Sequence, residues 1–430
     1  MQILRLGQEG DGDDQGISKG LRMNILLITD PYPPEIRSVS LMMRELADGL
    51  VSKGHDVSVI ASYPRHNLDA KTKGQELKEL TVEGKVNVIR VKTPPHSKVN
   101  YLMRGLAQVM LPAIFFKAVK IYLKKKIDVV IVYSPPLTLA LAAEKIKKVY
   151  GARYLLNVQD IFPQNAVDLG IMKNRIIIRF FEAIEKRAYN AADHITTHTE
   201  GGRNFLIEKK GLPPQKVDVV SNWIDTTAFE IARATGDYRK RYGLEGKFIF
   251  LFTGIIGPSQ NIDFLIDVAG RVADIRDICF LIVGDGKEKD RLRSIVERRG
   301  LKNIKFEPFV PQEEYPFLVK EADAGVICVN MKNRTSVMPG KMLGFMASSI
   351  PIAAFLNKEN DCYRIIEEAG CGYAIPADDP DKAAAIVRKM FREREKLALY
   401  GRGGYEYALS RFSKKPCIDK LERIVGNGHA

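Results

Sequence analysis

Four stretches of this sequence carry residue types that do chemistry. Asp160 follows the apolar run Arg153-Tyr-Leu-Leu-Asn-Val158, and a carboxylate at that place, facing a cleft, can take the proton of a hydroxyl within hydrogen-bonding reach. Its plainer alternative is a helix cap or a partner for an arginine. The turn Gly254-Ile-Ile-Gly-Pro-Ser-Gln-Asn261 is glycine-rich, so its backbone can approach a phosphate at the N-terminus of the following helix. An ordinary strand-to-helix turn would read similarly. The third stretch runs from Arg334 to Lys341, where Pro339-Gly340 opens a helix, and the Lys341 ammonium with the first helix amides can neutralise a diphosphate. The fourth, His194-Ile-Thr-Thr-His198, only superficially has a metal-ligand spacing. It reads as a strand, on which residues four apart stand roughly 13 Å from each other, and it lacks the Glu of HExxH. Both histidines are therefore read as structural, and no metal is expected.

Short β-rich apolar runs alternate with helical patterns, the signature of βαβ units and a parallel sheet. The first series holds Asn24-Ile-Leu-Leu-Ile-Thr29, Asp56-Val-Ser-Val-Ile-Ala61, Val86-Asn-Val-Ile-Arg-Val91, Asp128-Val-Val-Ile-Val-Tyr133, Arg153 to Val158, His194 to Thr197 and Val217 to Val220. The second begins at Phe248-Ile-Phe-Leu-Phe252 and ends at Gly372-Tyr-Ala-Ile375. The class is α/β, with two doubly wound Rossmann-like domains facing a central cleft. The expected division is a disordered tail over 1–22, a first domain over 23–225, a second over 226–405 and a helical segment over 406–430 packing back on the first. A hinge is placed at Trp223 to Phe229. GxGxxG is missing after the first strand, so dinucleotide binding is not expected, nor any other cofactor.

At 430 residues the chain has room for two domains, and 45% hydrophobic with 27% charged residues is a globular balance rather than a disordered one. Its net charge of +14 favours acidic partners. Between Lys98 and Arg153 eleven basic residues stand against two acidic ones. Within this window the apolar stretch Gly105 to Phe116, interrupted by Gln108 and Pro112, is flanked by Arg104, Lys117, Lys120, Lys124, Lys125 and Lys126. That is either an amphipathic segment resting on anionic lipid or a core helix with a solvated lysine face. The basic residues interleave with apolar helix positions rather than aromatic platforms, which disfavours nucleic acid. Five scattered cysteines without a CxxC pair fit reduced thiols in a cytoplasmic protein. The Gly- and Asp-rich opening does not read as a secretory signal.

Several words of the sequence, in order, resemble the retaining GT-B glycosyltransferases of family 4, and in particular those of colanic acid, capsule and O-antigen synthesis. In the first half these are Pro33-Pro-Glu35, Lys53-Gly-His-Asp-Val57, Val158-Gln-Asp-Ile-Phe-Pro163 and Ala166-Val-Asp-Leu-Gly170. In the second they are Val283-Gly-Asp-Gly286, Phe309-Val-Pro311, Pro339-Gly-Lys341, Ala347-Ser-Ser-Ile-Pro-Ile352 and Glu368-Ala-Gly-Cys-Gly372. The resemblance runs from Asn24 to about Phe412. It implies the GT-B fold, a nucleotide-sugar donor, UDP-linked by expectation, and a lipid-diphosphate-linked saccharide acceptor. It places Asp160 and Glu35 at the catalytic centre and Arg37 beside the acceptor or diphosphate. Gly254, Gly257, Ser259, Gln260, Asn261, Phe309, Val310, Arg334, Pro339, Gly340 and Lys341 would hold the donor. The basic residues from Arg104 to Lys126 would hold acceptor and membrane, at the inner face of the plasma membrane.

The chain also departs from the pattern. Where relatives carry Arg and Lys in the first turn of the second domain, this sequence has Gln260 and Asn261, losing two charge-assisted contacts of roughly 1.5–3 kcal/mol each. The paired glutamates of the family fall on Ser336 and Gly344, Arg37-Ser38 replaces paired glycines, and Gln164 replaces a Glu. Arg37 could return a lost cation to the donor. A degenerate GT-B protein acting as a non-catalytic partner is the alternative. A nucleotide-sugar epimerase would need a set of cleft carboxylates and histidines that the sequence does not offer.

Overall fold

Strands buried on both faces must be apolar throughout, and the continuous runs of this chain build two such sheets. The computed structural model describes residues 22–65, 68, 76–95 and 101–426. The first sheet contains β1 (Asn24–Ile28), β2 (Asp56–Ser62), β3 (Leu80–Glu83), β4 (Val86–Val91), β5 (Val129–Ser134), β6 (Arg153–Val158), β7 (His194–Thr197) and β8 (Val217–Val219), in the order β3-β4-β2-β1-β5-β6-β7-β8. All its pairings are parallel except that of β3 with β4. The second contains β9 (Phe248–Ile255), β10 (Ile278–Asp285), β11 (Ile304–Glu307), β12 (Ala324–Cys328), β13 (Ile352–Phe355) and β14 (Gly372–Ile375). They are parallel throughout, in the order β11-β10-β9-β12-β13-β14. In each sheet the order reverses beside the first strand, and a crevice forms there at the strands' carboxyl ends.

Helices α1 (Ser38–Ser52), α2 (Tyr101–Tyr122), α3 (Leu139–Tyr150), α4 (Gln164–Asp168), α5 (Arg175–Ala191) and α6 (Glu200–Glu208) belong to the first domain. One face of its sheet is covered by α2, α3, α5 and α6 through Leu111, Phe115, Ile146, Tyr189 and Leu206. The other face is covered by α1 and by the last helix, Lys414–Gly426, through Leu46, Leu50, Ile418 and Leu421. Gly49 admits that helix, since a Cβ there would stand 2.7 Å from Ile418 Cδ1. Lys53 bridges to Asp419 (2.6 Å) and Glu422 (2.7 Å), and Arg153 donates to the Val425 carbonyl (2.8 Å).

Three sequence readings are adjusted. The antiparallel edge strand β3 escaped notice because its exposed Leu80 and Val82 alternate with polar residues instead of forming a buried run. Position 405 falls inside the continuous helix Leu397–Arg411, and the chain turns back at Phe412–Ser413, where the Phe412 carbonyl accepts the Ile224 N–H (2.9 Å). The helix α2 is apolar and long enough over Gly105–Tyr122 to cross a membrane by length and composition. Its Ala107, Leu111, Phe115 and Val119 are nevertheless buried in the first domain, so one side is core, while Leu106, Val109, Lys117 and Lys120 lie on the exposed side. Residues 1–21 of the expected tail lie outside the described residues, as does Lys98.

Candidate active site

The second domain offers a cation at the mouth of its crevice. Gly254, near the end of β9, has φ +122, a conformation that favours glycine, and a Cβ there would stand 3.7 Å from Lys341 Cε. Lys341 is the second residue of the helix Gly340–Ala347, whose preceding Pro339 supplies no side-chain cap. Its ammonium donates to Gln260 Oε1 (2.6 Å) and lies 4.5 Å from the centre of the Phe252 ring. Among the described residues no carboxylate pairs with it, and burial pushes its pKa down to about 8. A half-buried cation beside uncapped helix amides is a site for an anion.

The surrounding turn is held by local bonds. Asn330 donates its N–H to the Ser259 carbonyl and its side-chain amide to the Pro258 carbonyl (both 2.9 Å), and the Cys328 thiol reaches the Asn261 carbonyl (3.2 Å). Asn261, at φ +48, precedes the helix Ile262–Arg271. Gly257, Asn261, Asp263, Arg291 and Asn330 border an open cavity of about 200 Å³. Arg291 is not available there, being held by Asp263 and Glu288 at 2.7 Å each. Phe309 and Val310 follow β11, Phe309 with 47% of its surface exposed and Val310 half-buried against the core.

The two positions that lack the family's glutamates are filled differently. At Gly344 a Cβ would stand 2.6 Å from the phenol oxygen of Tyr315, which lies 3.4 Å from Thr253 Oγ1 and is pushed by burial up to about 12. No carboxylate fits at 344 without displacing that ring. At Ser336 the hydroxyl donates to Asp361 Oδ2 (2.7 Å), so a carboxylate does stand beside this position, supplied by the helix Asp361–Ala369.

In the first domain Asp160 is half-buried in the loop after β6, and its carbonyl accepts the Phe162 N–H (3.0 Å). Burial, and then the charge of Asp160, raise the phenol of nearby Tyr133 far above its usual range. Next to it Gln159 donates to Asn157 (2.7 Å) and accepts from Asn222 (2.8 Å). Glu35 and Arg37 pair with each other at 2.8 Å, so the Arg37 guanidinium is committed to a carboxylate of its own loop. Lys117, Lys120, Lys124, Lys125 and Lys126 are exposed on α2 and the segment after it, and Lys126 pairs with Asp128 (2.9 Å). Arg104 lies in α2, but its side chain is outside the described residues. Among the described residues no group of His, Cys, Asp and Glu is placed to hold a metal ion.

Among the described residues, hydrogen bonds span the cleft to the loop before Lys341 and to the helix beside it. The Arg334 N–H donates to Asp168 Oδ2 (3.2 Å), the Met338 N–H to His198 Nε2 (3.1 Å), and the Gly201 N–H to Asp361 Oδ2 (2.7 Å). Arg334 thus enters through its backbone, its side chain remaining exposed. Burial, only partly offset by Asp361, drives the His198 ring down to about 4, so it is neutral at pH 7 with its proton on Nδ1. That Nδ1 has no partner among the described residues. Asp168, His198, Tyr315 and Asp361 were not singled out as site residues from sequence. The sequence carried two signals, the word Ala166-Val-Asp-Leu-Gly170 around Asp168 and the polar run Thr196-Thr-His-Thr199 at the end of a buried strand.

Comparison with known proteins identifies the two domains. The glycosyl transferase 4-like domain matches residues 39–223, and the glycosyl transferases group 1 domain matches residues 235–407. The putative colanic acid biosynthesis glycosyl transferase WcaI of Escherichia coli is 27% identical over 76% of this chain and 81% of its own length. The probable glycosyltransferase WbjE of Pseudomonas aeruginosa is 26% identical over 70% and 74%. Among solved structures, sucrose-phosphate synthase from Thermosynechococcus elongatus superposes with a TM-score of 0.74 at 14% identity, covering 94% of this chain and 98% of that one. Anabaena HepE in complex with UDP-glucose gives 0.70 at 14% identity, covering 94% and 100%. At such identities the structures speak for the fold alone. With both domain types matched in order over two α/β domains of the GT-B fold, the chain belongs to the glycosyltransferases.

Proposed function

We propose that this protein moves a sugar from a nucleoside-diphosphate donor, UDP-linked, to a lipid-diphosphate-linked saccharide, with retention at the anomeric carbon. The observation that carries the reading is Lys341, a half-buried cation without a carboxylate partner among the described residues, at an uncapped helix N-terminus of the second domain. As the bond from the sugar C1 to the phosphate oxygen breaks, negative charge grows on the leaving diphosphate, and Lys341 with the Gly340–Ala347 amides stabilises it. The acceptor oxygen bonds to C1 on the face from which the diphosphate leaves and gives up its proton, a role the family resemblance assigns to Asp160. Phe309 offers an exposed ring face for the base. Support for a UDP-linked donor comes from the likeness to HepE, which holds UDP-glucose, and support for a polysaccharide product from WcaI.

The exposed lysines of α2 and of the segment after it would keep the protein peripheral at the cytoplasmic face of the plasma membrane, next to a lipid-linked acceptor. The test is product analysis with a panel of UDP-sugars and lipid-diphosphate-linked saccharides, the linkage read by NMR. Transfer with the donor's anomeric configuration kept supports the reading, and an inverted linkage contradicts retention. A second reading, a non-catalytic partner of another transferase, is favoured by one feature: the phenol of Tyr315 occupies the space a carboxylate at 344 would need. Absence of transfer with every donor, together with absence of nucleotide binding, would favour it.

A further inference from the structure

The helix α5 has an unpartnered outer face over its first two turns. Asn174 caps it, accepting from the N–H groups of Ile176 (2.9 Å) and Ile177 (3.2 Å). Phe181, Ala188 and Tyr189 turn inward, and Arg187 ties the helix to Glu144 of α3 (2.7 Å). The opposite side holds Ile176, 79% exposed, with Ile177 and Phe180, both exposed. Such side chains are normally covered in a soluble fold. Lys173, Arg175 and Arg179 surround them, all exposed, and none pairs with a carboxylate among the described residues. No acidic residue occurs from Lys173 to Phe181. Large apolar side chains ringed by uncompensated cations match the interface of an anionic bilayer, where the apolar groups enter the acyl boundary and the cations meet headgroup phosphates.

Position in the fold gives this face its meaning. Because β4 and β6 run parallel, α2 and α5 both start at the carboxyl edge of the sheet, which is the rim of the cleft, with α3 between them. An aromatic chain leads inward from the exposed face: Phe180 packs edge-on against Phe181 (5.3 Å between centroids) and Phe181 against Phe162 (5.0 Å). Phe162 in turn donates its N–H to the carbonyl of Asp160.

We propose that the first two turns of α5 insert into the surface of an anionic bilayer, and with the outer face of α2 seat the cleft rim on the membrane beside Asp160. The inference rests on the membrane-peripheral reading and adds to it where the protein enters the lipid. A lipid-linked saccharide then meets the Asp160 loop while its hydrocarbon chain stays in the bilayer along α5.

The test is sedimentation of the full chain with vesicles of phosphatidylethanolamine and phosphatidylglycerol, against vesicles of phosphatidylcholine. Variants are I176S/F180S and R175S/R179S on α5, and L106S on α2, each first shown to unfold at the wild-type temperature. The expected result is binding to the anionic vesicles only, weakened about fivefold for each α5 charge removed and lost in I176S/F180S. If the wild type binds and both α5 variants bind equally well while L106S does not, the inference fails and the membrane reading stands. If the wild type binds neither vesicle, the membrane reading fails with it. A dimer in lipid-free solution that I176S/F180S dissolves would put a second copy on this face and overturn the proposal.

Discussion

The Lys341 ammonium bonds to the amide oxygen of Gln260, not to a carboxylate. A neutral partner leaves the full positive charge for a ligand. Gln260 stands in the turn after β9, and the Gly340–Ala347 helix brings its lysine to that turn. Replacing Lys341 by Met should weaken UDP binding by roughly 1.5–3 kcal/mol, the worth of one charge-assisted contact. It should not destabilise the free protein, since it removes a half-buried cation that has no carboxylate partner among the described residues. Calorimetry and thermal unfolding of one variant check both.

The same lysine sets a pH dependence. Its pKa falls from 10.5 to about 8 on folding, so between these values the unfolded chain binds more protons and stability rises with pH from about 8 to 10.5. A diphosphate beside the ammonium favours its charged form and pulls the pKa back up. Above pH 8, UDP binding should therefore take up a proton and weaken as pH rises. Titrations in buffers of different ionisation enthalpy measure that uptake directly, and Lys341→Met should abolish it.

Restoring a glutamate at 344 should not restore a better donor site. The Tyr315 phenol stands 2.6 Å from where its Cβ would be, so Gly344→Glu overpacks the site at a cost of about 1–3 kcal/mol. Adding Tyr315→Ala should recover part of that loss. A double-mutant cycle in urea reads the coupling, and additive effects would show that the two positions do not meet.

The strands were legible because parallel strands covered on both faces are written as unbroken apolar runs, and glycines and prolines marked the turns around Gly254 and before Lys341. What could not be read depended on neighbours far along the chain. Gln260 meets Lys341 only once β9 and the Gly340–Ala347 helix are side by side, and nothing local to Gly344 announces Tyr315. Arg37 looked available to a phosphate until the fold paired it with Glu35. The exposure of the apolar start of α5 could not be read either, since exposure is a property of the layer and not of the helix.

The cleft clamp should be acid-sensitive. His198 titrates at about 4 in the fold against 6.5 unfolded, so the unfolded chain binds more protons between these values and stability falls as pH drops from 6.5 to 4. Once protonated, Nε2 no longer accepts the Met338 N–H. Asp361→Ala should loosen the same cleft at neutral pH through a different contact, leaving the Gly201 N–H and the Ser336 hydroxyl without their acceptor at a cost of about 1–3 kcal/mol. Small-angle scattering should show a larger radius of gyration for that variant, and an unchanged radius would mean the domains are held by other contacts.

The central claim is that the altered second domain still holds a nucleoside diphosphate through Lys341. Calorimetric titration of the wild type with UDP, GDP and ADP, repeated with Lys341→Met, tests it most directly. The account predicts micromolar binding of UDP that the substitution weakens by at least about tenfold. Absence of binding by any of the three at millimolar concentration, with anionic vesicles present or absent, would contradict it.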